Sequence, residues 1–280
     1  MTLDDVDPAA DVLVGGGWGD RRAFFRFAVG HDRCWPFVAE VDGRLSGTGI
    51  ATANGSVGWV GMIFVDEGLR GRGVGTLLTA AVIDRLEAEG CTTLALLASP
   101  LGRPIYERLG FMAEMEYRLL VANGGTAEDV GLPHGLPATD ASALRPYRPD
   151  DLLAICALDR AATGEDREHV LRVVLDPATT TLAVRPDGRI VGFDARPPWG
   201  THPTIAPELV DGVRLLQARR ARAAPGSEVR TAIPDVNRPG LTALENLGWR
   251  DERGLTRMIR GAPIEWLPEA IWGQFNYAIG

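Results

Sequence analysis

The 280-residue sequence predicts an α+β fold present twice in one chain. Three observations predict it. First, the apolar run Val57 to Val65 passes through Arg70-Gly71-Arg72-Gly73-Val74-Gly75 into an amphipathic run ending at Gly90, the pattern of strand, glycine-rich turn and helix. Second, the first half runs from helical material through hairpin-spaced strands to alternating strands and helices. Third, two short motifs of the first half recur in the second, in the same order.

Taken in order, Asp4 to Gly30 is predicted as helix interrupted at Gly15-Gly16-Gly17. Pro36 to Val41 and Leu45 to Ala53 are two strands joined by Asp42-Gly43, a two-residue hairpin signal. Ser56 to Val65 is a third strand, almost continuously apolar as a strand buried on both faces would be. Val74, Leu78, Ala81, Val82 and Leu86 follow at helical spacing. Thr92 to Ala98 is another strand, Arg103 to Leu109 a short helix stopped by Gly110, and Phe111 to Val121 a last strand.

The turn at 70–75 has the makings of an anion site. First-turn N–H groups of a helix have no intrahelical partners, the dipole is positive there, and glycine lets a bulky ligand approach the backbone. Arg70 and Arg72 add charge and planar donors suited to phosphate. A Walker loop is excluded because the chain contains no lysine. A dinucleotide G-x-G-x-x-G fails because Thr76 and Leu78 stand where glycine is needed.

The pattern that fits is R-x-x-G-x-G, with Arg70, Gly73 and Gly75 in the fixed places. With Ile105-Tyr106-Glu107-Arg108-Leu109-Gly110-Phe111, similar to an "LYxxxGF" segment, residues 1–121 resemble the general-control-type N-acetyltransferase superfamily (GNAT). The resemblance implies a mixed, mostly antiparallel sheet flanked by helices, acetyl-coenzyme A as co-substrate, and no metal. It implies that Arg70, Gly71, Arg72, Gly73, Val74, Gly75 and Thr76 cradle the diphosphate. Ile63, Phe64 and Val65 would hold the pantetheine arm and acetyl carbonyl through their backbones, where this strand splays from the next. Tyr106 would be the catalytic acid for the departing thiolate and also touch the cofactor. A phenol near pKa ~10 suits a thiol near ~8.5, a contribution of roughly 10²–10⁴-fold. Ser99 occupies a position the family often gives to asparagine and can make only some of its bonds.

The general base is not legible. An alkyl ammonium of pKa ~10.4 costs about 4–5 kcal/mol to deprotonate at pH 7. Val57 to Val65 carries no acid, and Glu40, Asp66, Glu114, Glu116 or a water chain remain open. Cys91, at a strand start, reads as a small buried hydrophobe rather than an acyl carrier. Trp18, Trp35, Trp59 and Trp199 read as packing residues or as walls of an acceptor cleft.

Ala122 to Ala141 is rich in Gly, Pro, Ala, Thr and Asp and reads as a linker between a domain at 1–121 and another at 142–280. In the second domain Asp187-Gly188-Arg189-Ile190-Val191-Gly192 echoes Asp42-Gly43-Arg44-Leu45-Ser46-Gly47. Leu244-Glu245-Asn246-Leu247-Gly248-Trp249 echoes Tyr106 to Phe111. The helical stretch Leu209 to Arg222 has no glycine-rich loop before it, and Leu244 replaces the tyrosine. The expectation is a working first copy and a degenerate second one that helps wall the acceptor pocket, as in bacterial two-domain GNAT proteins. Thr163-Gly164-Glu165-Asp166-Arg167 reads as a helix stop followed by a cap, with a pocket role for Asp166 or Arg167 as the rival. The apolar stretch Phe275 to Gly280 is expected to pack on the body, and a carboxylate there is one further candidate base.

Composition is that of a soluble globular chain, 45% hydrophobic and 24% charged. A net charge of −8 and a pI near 5.1 argue against nucleic acid as partner. Three scattered cysteines (Cys34, Cys91, Cys156) and four histidines (His31, His134, His169, His202) lack metal-ligand spacing. No basic, apolar leader precedes Asp11, and no apolar stretch approaches the ~20 residues of a membrane span, so a cytoplasmic location is expected. The expected reaction is acetyl transfer to an amine, with a small-molecule acceptor favoured over a protein. The alternatives are a non-catalytic acyl-CoA-binding regulator, a different acyl donor, or a hydroxyl acceptor.

Overall fold

The computed structural model describes residues 1–125 and 142–280; most of the expected linker, and His134, lie outside the described residues. Helix α1 (Val6–Gly15) buries Val6, Ala9, Ala10 and Leu13, one face at i, i+3, i+4, i+7 spacing. Helix α2 (Arg22–Val29) buries Phe24, Phe25 and Ala28 and is tied back by Arg22 to Asp7. Strands β1 (Cys34–Val41), β2 (Arg44–Asn54) and β3 (Val57–Val65) form the expected meander, with antiparallel pairs throughout. β1 begins two residues earlier than expected and passes through Pro36, which an edge strand tolerates because that N–H need not join the ladder.

Helix α3 (Val74–Ala88), β4 (Thr93–Ala98), α4 (Arg103–Arg108) and β5 (Met112–Asn123) complete the first copy. α3 lies close on the sheet because β3 has no side chain at Gly58. A Cβ there would stand 2.9 Å from Leu86. Val60, Val82, Leu86, Leu94 and Leu96 form the core of this face, together with Cys91, the small buried hydrophobe expected.

The second half repeats the plan. β6 (Ala143–Pro146) leads to α5 (Leu152–Thr163) and α6 (Glu168–Val174). The hairpin β7 (Thr180–Val184) and β8 (Ile190–Ala195) is followed by a two-residue strand, β9 (Thr204–Ile205). α7 (Leu209–Arg222), β10 (Glu228–Pro234), α8 (Arg238–Asn246), β11 (Arg250–Gly261) and β12 (Ile271–Gly273) follow.

The repeat is exact enough to be seen in single bonds. After α4, Phe111 N donates to Tyr106 O at 3.0 Å and Gly110 has φ +85°; after α8, Trp249 N donates to Leu244 O at 3.0 Å and Gly248 has φ +81°. Both glycines take the left-handed conformation that ends a helix with little steric cost.

The described residues form two compact units, neither contiguous in sequence. One holds Met1–Glu114, Arg257–Pro263 and Tyr277–Gly280; the other holds Met115–Thr256 and Ile264–Asn276. In the first, the order β1-β2-β3-β4 continues with the end of β11 beside β4. In the second, β10 pairs antiparallel with β5 from Glu228↔Asn123 to Pro234↔Tyr117, and a separate sheet runs β12-β9-β8-β7-β6. The boundary expected at Val121 therefore falls inside a continuous strand. Composition could not locate it, because β5 stays apolar from Leu119 to Ala122 while serving β10.

Gly164 ends α5 at φ +72°, so the expected stop holds, but the N-cap of α6 is Arg167 without a side-chain cap bond, and Asp166, one residue earlier, accepts only from Glu168 N at 3.4 Å. Arg167 has a different place from either reading. It is buried and pairs through both Nε and Nη2 with Asp159.

Candidate acyl-transfer site

The first unit opens a wedge between two parallel strands. β3 and β4 pair at Val57↔Thr93, Gly58↔Leu94 and Trp59↔Ala95, and the ladder stops there. Ile63, Phe64 and Val65, the expected splayed residues, lie beyond that point. A bulge accompanies the opening. Against β2 the register shifts between Thr48↔Phe64 and Ile50↔Gly61, and Met62 takes φ +52°. Thr48 Oγ1 donates to Met62 O at 2.9 Å.

Gly73 is the N-cap of α3 at φ +85°, the left-handed conformation that glycine adopts without a Cβ penalty. Its carbonyl accepts from Leu77 N at 3.0 Å, so the amides of Val74, Gly75 and Thr76 are those an α-helix leaves unpaired. Gly75 sits where strand, loop and α4 converge: a Cβ on it would lie 3.6 Å from Val65 and 3.5 Å from Ile105.

The two arginines differ. Arg70 turns back on the strand, with Nε donating to Val65 O at 3.2 Å and Nη1 facing Glu67 at 3.4 Å, and so pins the loop. Arg72 is exposed and makes no ion pair among the described residues.

Tyr106 lies on α4, 9% exposed, edge-on to Phe111, and close against Gly102. Burial pushes its phenol up to about 12. Ser99 is exposed and its hydroxyl accepts from Gly102 N at 3.3 Å, which shapes the turn before α4.

The four candidate bases are dispersed. Glu40 is exposed on β1, Asp66 caps the turn Glu67–Leu69 through Gly68 N at 3.0 Å, and Glu116 accepts from Thr256 Oγ1 at 2.7 Å. Glu114 pairs with Arg257, a buried guanidinium that lies over Trp59. Trp59 is thus core, whereas Trp18 is 41% exposed and edge-on to Phe64 at 5.4 Å.

The corresponding place in the second unit is filled. β12 pairs with β9 on one edge (Ile271↔Ile205) and bonds to β10 on the other, where Gln274 N donates to Ala232 O at 3.0 Å. Trp272 donates from Nε1 to Ala206 O at 2.9 Å and packs so tightly on the first turn of α7 that a Cβ on Gly212 would fall 2.0 Å from its ring. Asp211, in that same turn, is fully buried and held by Arg185 and by Ser142.

Sequence reasoning missed the left-handed Met62 and the place of Trp272. The available signal was glycine inside an apolar strand (Gly58, Gly61) and inside a helix (Gly212), each a mark of close approach. Among the described residues no three His, Cys, Asp or Glu are grouped to hold a metal, and no helix is long and apolar enough to cross a membrane.

Comparison with known proteins bears on the fold and the family. The acetyltransferase (GNAT) family matches residues 13–111 and an acetyltransferase (GNAT) domain matches residues 155–272. No curated protein matches the sequence. Among solved structures, a putative acetyltransferase from Pyrococcus horikoshii is similar with TM-score 0.77 at 20% identity, covering 100% of this chain and 94% of that one. A GCN5-related N-acetyltransferase from Sphaerobacter thermophilus has TM-score 0.64 at 16% identity, covering 95% and 96%. A tandem GNAT protein from the clavulanic acid biosynthesis pathway has TM-score 0.62 at 16% identity, covering 94% and 98%. At these identities the likeness is one of fold. The chain belongs to the GNAT acetyltransferases and carries two domains of that family.

Proposed function

We propose that the chain is an N-acetyltransferase that moves an acetyl group from acetyl-CoA to the amine of a small molecule, using one site, in the first copy. The observation that carries this reading is the contrast between the copies. In the first, the strands part beside a helix N-terminus that has unpaired amides and a free arginine. In the second, β12 and Trp272 occupy the same place.

The residues fit the ligand. The amides of Val74, Gly75 and Thr76, with Gly71, Gly73 and Arg72, would hold the diphosphate, while Arg70 keeps the loop in shape. The backbones of Ile63, Phe64 and Val65 would receive the pantetheine arm, as strand edges do. Bound acetyl-CoA supplies an activated thioester. The gain expected from the protein is alignment and a fixed set of donors for the acyl oxygen.

Tyr106 stays neutral at working pH. With its phenol at about 12 and a thiol at about 8.5, complete transfer to the sulfur is uphill by roughly 5 kcal/mol. Tyr106 therefore serves first as a hydrogen-bond donor to the sulfur as charge develops there. The acceptor amine sheds its proton to water, since Asp66, Glu114 and Glu116 each have a partner and Glu40 is exposed on the edge strand β1.

Calorimetric titration with acetyl-CoA, followed by thiol release across an amine panel, tests the reading. One equivalent bound and thiol released with an amine is the expected result. Binding without release would favour the regulatory alternative, and no binding by folded protein would end the assignment.

A further inference from the structure

The stretch Tyr277–Gly280 packs within the first unit, against β3. Ala278 and Ile279 are fully buried. Gly61 makes room for them: a Cβ there would stand 2.3 Å from Ala278 Cα and 2.5 Å from the Tyr277 carbonyl oxygen. Both are backbone atoms, so no side-chain rotation would relieve the clash. Asn54 donates from Nδ2 to Ile279 O at 2.5 Å.

The stretch lies on the sheet face away from α3. Gly49 points at Val82 of α3, so its neighbour Ile50 points away, and Gly61 is the residue paired with Ile50. The chain runs from Gly61 toward Asn54, which pairs with Val57 at the start of β3. It therefore heads away from the bulge, and the idea of a carboxylate base at this end loses its geometric support.

The residue after Gly61 is Met62, with φ +52°. A non-glycine residue in that region costs of order 1–3 kcal/mol and persists only where its surroundings over-determine it. Thr48 holds Met62 from the β2 edge at 2.9 Å. On the β4 edge the ladder has already ended at Trp59. α3 packs on the other face of β3, and Gly16 and Trp18 press on Phe64, so Tyr277–Gly280 supports the bulge at its Gly61 end.

We infer that Tyr277–Gly280 is a clamp for acyl transfer, with Gly61 and Asn54 as positioning residues. By pressing on Gly61 it holds the Met62 bulge, and through it the peptide groups of Ile63 to Val65. The inference rests on the transferase reading above, because those peptide groups are the ones assigned there to the acyl donor.

Three proteins test it: Asn54→Ala, Gly61→Ala, and a chain ending at Asn276. Asn54→Ala is the mild case, and a thermal melt establishes that each variant folds. The expected result is a 10- to 100-fold fall in kcat, the loss that misplacing reacting groups by about an ångström produces. The Kd for acetyl-CoA is expected to change by less than kcat does, since the loop and α3 assigned to the diphosphate are untouched. Met62 is one of five methionines, so methyl-labelled protein gives a readout independent of turnover, and its resonance is expected to move in all three variants without ligand.

Folded variants with wild-type kcat, or an unmoved Met62 methyl, overturn the clamp. A truncated chain that regains wild-type kcat at pH 9–10 also overturns it, because the stretch would then have supplied a base. If the wild-type protein binds acetyl-CoA but releases no thiol, the transferase reading fails and takes the inference with it. A moved Met62 methyl would then show only that the stretch shapes β3.

Discussion

Tyr106 and Arg72 carry the most specific claims at the scale of single residues. Tyr106→Phe removes a neutral donor and leaves the ring packed on Phe111, so kcat is expected to fall about 100-fold with the KM for acetyl-CoA little changed. A kcat equal to wild type across the pH range would defeat the role given to the hydroxyl. Arg72→Gln removes the exposed, unpaired cation. Calorimetry is expected to show affinity for acetyl-CoA about tenfold weaker and less sensitive to salt than wild type. If Arg70→Gln shows the larger change in salt dependence, the two arginines have been assigned the wrong way round. Both residues were proposed from the sequence because the chemistry assigned to them needs that side chain at that spacing. Gly73 was legible for a related reason: only glycine takes φ +85° there without strain. Met62 was not, since nothing in a methionine side chain calls for a left-handed backbone.

At the level of elements, the two copies diverge in one strand. β3 is nine residues long and ends in an open wedge, whereas β9 is two residues long and has its edge covered by β12. Trp272→Ala removes a ring that is 1% exposed and packed on Gly212, so unfolding free energy should drop by about 3–5 kcal/mol. Acetyl-CoA stoichiometry is expected to remain one, because the turn before α7 has no glycine to admit a diphosphate. A second equivalent bound by that variant would show the second copy still competent. The missing loop before Leu209 could be read from the sequence. What fills its place could not, because β12 lies more than sixty residues beyond β9 and a long-range pairing leaves no local pattern.

For the molecule as a whole, the second unit carries a pH dependence of its own. His202 is half-buried beside Arg219 and Asp194, and desolvation first, then the Arg219 charge, lowers its imidazole to about 3. The unfolded chain, with an ordinary histidine near ~6.5, binds a proton that the folded one refuses. Stability is thus fully present above pH ~6.5 and lost as pH falls toward 3, by about 2 kcal/mol between pH 7.5 and 5. Urea unfolding at the two pH values, with His202→Asn as control, checks the sign. A midpoint that rises on acidification in wild type alone would contradict it.

The sequence by itself determined the order of strands and helices, the duplication, and the glycine-arginine turn of the first copy. Each is encoded by neighbours a few residues apart, through periodicity, caps and turn chemistry. Tertiary structure alone decided that residues 257–263 complete the first sheet, that β12 closes the second wedge, and that Gly61 receives Ala278. Those pairings join segments far apart in the chain. They are selected by how buried backbone and side chains find partners and volume, and no short stretch of sequence contains that information.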